Sequence, residues 1–141
     1  MKKRNRDKTR FTELKKIYDT LHGPRGCMWD KEQTHASLLK DLQEEVDEFV
    51  EAVRNRDYPH MKEEVGDILL HVMFQAQIAS KSGKFDIEGV IDGLIKKLKR
   101  RHPHVFGKQK VGSTKEIIAN WHTIKAGEKK RLRPRRERGG K

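Results

Sequence analysis

The chain has 141 residues, enough for one domain with one core, and it is 33% apolar and 38% charged, leaner in apolar and richer in charged residues than an ordinary globular domain. Its formal net charge of +12 sits at the ends: residues 1–10 carry six Lys or Arg against one Asp, residues 125–141 carry nine against two Glu, and the body between holds 18 basic and 18 acidic side chains. A single cysteine, Cys27, excludes an intramolecular disulfide and a cysteine metal cluster, no apolar run approaches the roughly 20 residues of a membrane span, and no apolar stretch follows the first charges as in a secretory signal, so the expected location is the cytoplasm.

In chain order, Phe11, Leu14, Ile17, Tyr18 and Leu21 fall on one helical stripe that His22-Gly23-Pro24 ends. Residues 23–34 are punctuated by Gly and Pro and read as a loop. A second helix is expected over 36–55, with Leu38, Leu42, Phe49 and Val53 facing inward. A third runs from Pro59, a favourable first-turn residue, to Lys81, burying Met61, Val65, Ile68, Leu69, Val72, Met73 and Ala76. Ser82-Gly83 closes it. Asp86 can cap a fourth helix to Arg101 with Ile87, Val90, Ile91, Leu94, Ile95 and Leu98 apolar, and Pro103 stops it. Residues 102–113 read as a loop. Ser113 or Thr114 then caps a short last helix carrying Ile117, Ile118, Trp121 and Ile124. Nothing alternates with period two, so the fold class is all-α. Two long helices with strong apolar faces are much surface for so small a body, and a second copy can complete the bundle. The expected state is a homodimer.

The chemistry lies in two acidic clusters, Glu44-Glu45-Val46-Asp47-Glu48 and Glu64-Val65-Gly66-Asp67. Helical spacing puts Glu44, Glu45 and Glu48 within an arc of roughly 100° beside the apolar stripe, and sets Glu64 and Asp67 at its edge on the next helix. Solvated helix faces normally alternate charge signs, and here only Lys40 lies near the first cluster. Gly66 costs about 1 kcal/mol in mid-helix, which predicts close approach of a backbone or ligand. Facing carboxylate pairs suit hard divalent cations such as magnesium, and magnesium that keeps some of its waters is a usual partner of polyphosphates. A ferritin-like di-iron site needs Glu-x-x-His on two helices; Glu32-Gln33-Thr34-His35 supplies that spacing once, in a loop. His71, one turn from Asp67, is a possible further ligand or a residue at the edge of the core.

The pattern Glu-Glu-x-x-Glu, fifteen residues, then Glu-x-x-Asp resembles the MazG nucleoside triphosphate pyrophosphohydrolases, of the all-α NTP pyrophosphatase superfamily. Three stretches strengthen the likeness: Gly26-Cys27-Met28-Trp29-Asp30-Lys31-Glu32-Gln33-Thr34-His35, Glu63-Glu64-Val65-Gly66-Asp67-Ile68-Leu69-Leu70, and Arg100-Arg101-His102-Pro103-His104-Val105-Phe106-Gly107. It covers a domain of about 11–128 and leaves out a basic N-terminal extension, 1–10, and a basic tail, 129–141, expected to be disordered. The resemblance implies hydrolysis of NTPs or dNTPs to monophosphate and pyrophosphate with magnesium, for which manganese could substitute, in the manner of nucleotide-pool cleaning. It implies Glu45, Glu48, Glu64 and Asp67 as metal ligands and catalytic carboxylates, and Lys97 and Arg101 as phosphate-binding residues. It places Trp121 near the nucleotide, and Glu44, Glu63 and Lys31 near the site with Trp29 and Asp30. Met28 stands where the family commonly has proline. Many members carry two tandem domains; this chain carries one. The alternative is a non-catalytic nucleotide- or nucleic-acid-binding helical module acting through its basic tails, which attract polyanions without sequence preference.

Overall fold

The computed structural model describes the backbone of residues 2–139 and the side chains of residues 10–131. Most of the described residues are helical, and there is no strand among them. The helices are α1 (Lys2–Leu21), α2 (Met28–Glu32), α3 (Leu39–Arg54), α4 (Tyr58–Lys81), α5 (Ile87–Arg101), α6 (Pro103–Phe106) and α7 (Thr114–Gly139). The five expected helices stand in the expected order. The two expected loops each hold a short helix, α2 and α6, and the last helix is much longer than its apolar stripe suggests. The side chains of the basic N-terminal segment before residue 10 and of the tail beyond residue 131 lie outside the described residues, and so does most of what was expected of those segments.

The chain divides into two compact units, Met1–Glu88 and Gly89–Lys141. In the first, α3 and α4 form a helical hairpin. The turn at residues 55–57 reverses the chain, with Arg56 at φ 51° and Asp57 capping α4 by accepting from the His60 N–H at 3.3 Å. An acceptor at that place satisfies one of the unpaired amides of the first helical turn. Pro59 sits in the same turn, where its missing N–H costs nothing. Helix α1 lies against α4 through Tyr18, whose hydroxyl donates to the Leu70 carbonyl at 3.0 Å while its ring meets Phe74 edge-on. Leu38, Ala52, Met73, Phe74, Ala76 and Ala79 complete the buried core with Tyr18 and Ile87.

The segment between α1 and α3 is pinned from both sides. The Cys27 N–H donates to the Leu21 carbonyl at 2.8 Å, and a Cβ at Gly26 would lie 2.0 Å from that same oxygen, so only glycine fits there. Farther on, Gln75 donates to the His35 carbonyl at 3.2 Å, fastening the start of α3 to α4. These ties hold α2, and Trp29 on it, against Phe74.

The apolar faces need correction. Val53 on α3 and Val65, Leu69 and Val72 on α4 are exposed in the single chain, while Glu64, His71, Phe74 and Ala79 are buried. Periodicity locates an apolar stripe but not which part of it a neighbour covers. Gly66 has no atom within 4 Å of where a Cβ would stand, so within one chain the close approach expected there is not made.

In the second unit, Ser113 caps α7 by accepting from the Glu116 N–H at 3.3 Å, and the Glu116 carboxylate accepts from the Gly112 N–H at 2.8 Å. This reciprocal arrangement resembles a capping box.

Candidate active site

Glu45 and Glu48 stand one turn apart on α3, and Glu64 stands on α4. The hairpin brings them together: each offers a carboxylate oxygen, and the three oxygens lie within 4.8 Å of one another. One face of each helix thus supplies part of a single acidic cluster. Glu64 is buried, Glu45 half-buried and Glu48 exposed, so the cluster runs from the helix interface to solvent.

Its electrostatics are those of a site waiting for positive charge. Contact with the Glu64 carboxyl pushes the Glu45 carboxyl up from 4.5 to about 8, helped by burial and by the charges of Asp67 and Glu48. Glu48 is raised for the same first reason, its hydrogen bond with Glu64, and then by the Glu64 charge. Carboxylates this close disfavour one another's charged forms. One oxygen each of Glu45 and Glu64 is buried with no hydrogen-bond partner, and no ion pair among the described residues reaches Glu45, Glu48, Glu64 or Asp67. Buried polar atoms are normally satisfied. A hard divalent cation would satisfy these, since its oxygen ligands sit about 2.1 Å from magnesium and small side-chain shifts would let the three carboxylates share one ion. The donor set fits such an ion.

Two cavities flank the cluster. Glu48 and Glu64 line one of about 350 Å³, together with Asn55, Asp57 and His60. Asp57 and His60 form a hydrogen-bonded pair that holds the Asp57 carboxyl below and the His60 ring above its ordinary value. Glu45 lines the other, of about 320 Å³, whose walls include Tyr18, Trp29, Leu38, His71 and Phe74. Burial, and then the charge of Asp30, pushes the Tyr18 hydroxyl up to about 12, so it stays protonated as a donor.

The MazG nucleotide pyrophosphohydrolase domain matches residues 33–106, more than half of the chain and all of both acidic clusters. The chain belongs to the MazG family. It is 50% identical over 119 residues to the nucleoside triphosphate pyrophosphohydrolase/pyrophosphatase MazG of Thermotoga maritima, covering 84% of this chain and 45% of that one. It is 47% identical over 119 residues to the uncharacterized protein YabN of Bacillus subtilis, covering 84% of this chain and 24% of that one. Against the nucleoside triphosphate pyrophosphohydrolase of Escherichia coli K12 it is 39% identical over 114 residues, covering 80% and 43%. The chain therefore spans about a quarter to a half of these relatives. The crystal structure of a MazG-related protein from Thermotoga maritima superposes with a TM-score of 0.66 at 30% identity, covering 80% of this chain and 96% of that one.

Of the residues expected at a MazG site, Glu45, Glu48 and Glu64 come together. Asp67 lies outside that group of three, but its charge acts on both Glu45 and Glu48. Glu44 joins Glu45 on the aromatic cavity. Glu63 is exposed and outside the cluster. Lys31 donates to the Gly23 carbonyl at 3.2 Å, a structural tie within the pinned segment. Lys97, Arg101 and Trp121 belong to the second unit. There Arg101 pairs with Glu128 at 3.1 Å and its guanidinium lies 5.6 Å from the centre of the Trp121 ring, while Lys97 is exposed. The positions that sequence reasoning missed are the cavity walls, Tyr18, Leu38 and Phe74. They come from separate elements and carry no shared motif. The sole signal for His71 was its place one turn after Asp67; it is buried beside the cluster, not in it.

Proposed function

We propose that this chain is a magnesium-dependent nucleoside triphosphate pyrophosphohydrolase that releases monophosphate and pyrophosphate. The observation that carries the reading is the cluster of Glu45, Glu48 and Glu64, with two buried and unpartnered oxygens and no ion pair reaching it among the described residues. Glu45, Glu48 and Glu64 would hold the metal, with Asp67, whose charge acts on Glu45 and Glu48, as the fourth ligand. When bound, magnesium would neutralise triphosphate charge and polarise the phosphoryl oxygens, a role manganese could also fill. Glu48, the exposed member of the cluster, is read as a carboxylate that could take a proton from an attacking water. Lys97 and Arg101 are one helical turn apart on α5 and are read as phosphate-binding residues that stabilise the departing pyrophosphate. For Arg101 this requires exchanging Glu128 for phosphate. Clearing surplus or aberrant nucleotides in the cytoplasm is the role that fits this chemistry.

The assembly belongs to the same reading. Val46, Val50 and Val53 on α3 and Val65, Leu69 and Val72 on α4 repeat at helical spacing and are exposed. A second copy that covers these rows would complete the bundle. Light scattering at micromolar concentration should give twice the chain mass; a monomer would overturn the dimer. The domain is read as residues 11–128, with the basic flanks 1–10 and 129–141 available for non-specific contact with nucleic acid.

The function is tested by product analysis. The protein is incubated with each common NTP and dNTP with and without magnesium, and the products are separated by ion exchange. Monophosphate plus pyrophosphate, formed with magnesium, is the expected result. Diphosphate plus phosphate would mean attack at another bond, and no turnover of any nucleotide would overturn the reading.

A further inference from the structure

We infer that the aromatic cavity beside Glu45 seats the substrate's nucleobase and favours bases that carry an exocyclic amino group. The inference rests on the pyrophosphohydrolase reading and adds a specificity site to it. Three observations converge.

The first is shape and lining. The cavity measures about 320 Å³, within the range of small-ligand sites. Its walls pair flat aromatic groups with aliphatic ones: Trp29 and Phe74 meet nearly perpendicular with centroids 6.3 Å apart, and Leu38 is fully buried. Trp29 itself is half-exposed, an indole on a short helix with one face open. Such surfaces stack on bases of any sequence identity. The second is an unmet hydrogen-bonding group. His71 is 5% exposed and lines the cavity, and its Nδ1 has no partner. A buried ring nitrogen without a partner is costly, and a base edge is a ligand that would satisfy it. The third is connection. Glu45 lines this cavity and also belongs to the carboxylate cluster, whose other members line the separate polar cavity. A nucleotide with its base among the aromatics and its phosphates at the cluster would use both sides of one carboxylate.

The polar groups choose among bases. Asp30, Asp41 and Glu44 also line the cavity. Ionised carboxylates accept hydrogen bonds and do not donate them. They match the amino groups of adenine, cytosine and guanine and oppose the carbonyl edge of uracil. Cytosine and uracil differ at that edge while keeping the same ring size, so they separate hydrogen bonding from shape. Trp121, where the resemblance places an aromatic near the nucleotide, already carries Arg101 against its ring and His102 edge-on at 5.5 Å.

The test uses the full chain and has a kinetic and a binding arm. Trp29→Ala and Trp29→Phe are compared with the parent for kcat and KM on CTP and UTP, with helical content checked by circular dichroism. The expected result is a roughly tenfold rise in KM for Trp29→Ala, kcat within about threefold, and recovery in Trp29→Phe. The parent should prefer CTP to UTP by about fivefold or more in kcat/KM, and His71→Gln should change that ratio. The binding arm uses metal-free calorimetry with CMP and ribose 5-phosphate, and needs no turnover. CMP should bind more tightly than ribose 5-phosphate in the parent, and equally in Trp29→Ala. If the protein hydrolyses nothing but shows this binding difference, the cavity stands and the pyrophosphohydrolase reading falls. A folded Trp29→Ala with unchanged KM and unchanged CMP affinity overturns the base site, and a preference for UTP overturns the amino-group selectivity.

Discussion

The α3/α4 hairpin and the α5/α7 region each gather charged side chains, and they do so in opposite ways. In the second unit Glu128 receives both Arg100 and Arg101, Arg101 lies against Trp121, and the Glu128 carboxyl is held below its ordinary value by its hydrogen bond from Arg100. There Arg100, Arg101 and Glu128 each meet a charge of opposite sign. In the hairpin Glu45, Glu48 and Glu64 crowd together with no ion pair reaching them among the described residues, two pKa values are driven up, and two oxygens are stranded. The first arrangement stabilises a fold by itself. The second costs stability until something positive arrives, which is the signature of a binding site.

The comparison breaks most visibly at Glu64. Glu64→Gln should lower metal-dependent turnover by about a thousandfold or more with helical content unchanged. In metal-free buffer the same change should raise Tm, because it removes repulsion from the cluster. A lower Tm in metal-free buffer would mean that Glu64 acts as a structural group like Glu128. Glu48→Gln should also abolish most turnover, and activity retained in both variants would remove the cluster from the chemistry.

A pH series sharpens the contrast. Glu45 holds its proton more tightly when folded, at about 8 against 4.5. Stability from a raised pKa is fully present below the unfolded value and is lost as pH climbs through the folded one. The metal-free protein should therefore lose Tm between about pH 5 and pH 9, and saturating magnesium should flatten the decline by displacing the proton. Thermal scans in chelator and in magnesium measure both curves; parallel curves would contradict the account. Glu128, lowered by Arg100 and Arg101, has the opposite sign: its contribution is present above about pH 4.5 and fades as acid protonates it.

The smallest effect is expected at that pair. Glu128→Gln leaves Arg101, a largely buried side chain, without its carboxylate and should destabilise by about 1–2 kcal/mol, between the ranges for exposed and buried pairs. Urea unfolding measures it, and a neutral result would make the second unit's ion pairs ornamental.

How far the sequence was legible follows the same division. The long helices were readable because apolar residues recur with helical period over many turns. Helices α2 and α6, of five and four residues, are too short to show a period. The basic stretch of α7 has no apolar stripe to mark it as helix. The acid clusters were readable from unbalanced charge at helical spacing, and the short turn between α3 and α4 leaves the two helices adjacent, which brings Glu45 and Glu48 to Glu64. The aromatic cavity was not readable. Tyr18 comes from α1, Trp29 from α2, Leu38 from the segment before α3, and His71 and Phe74 from α4; Tyr18, Leu38 and Phe74 each alone resemble ordinary core residues, and only the resemblance set Trp29 near the site. Val65, Leu69 and Val72 were placed inside because period alone does not say whether the same chain or another covers them.

The most direct test of the central claim is a calorimetric titration of manganese into the metal-free protein at about pH 8, run in parallel on Glu64→Gln. The account predicts saturable binding with proton release in the parent and its loss in the variant. Equal binding by both proteins, or saturable binding by neither, would contradict it.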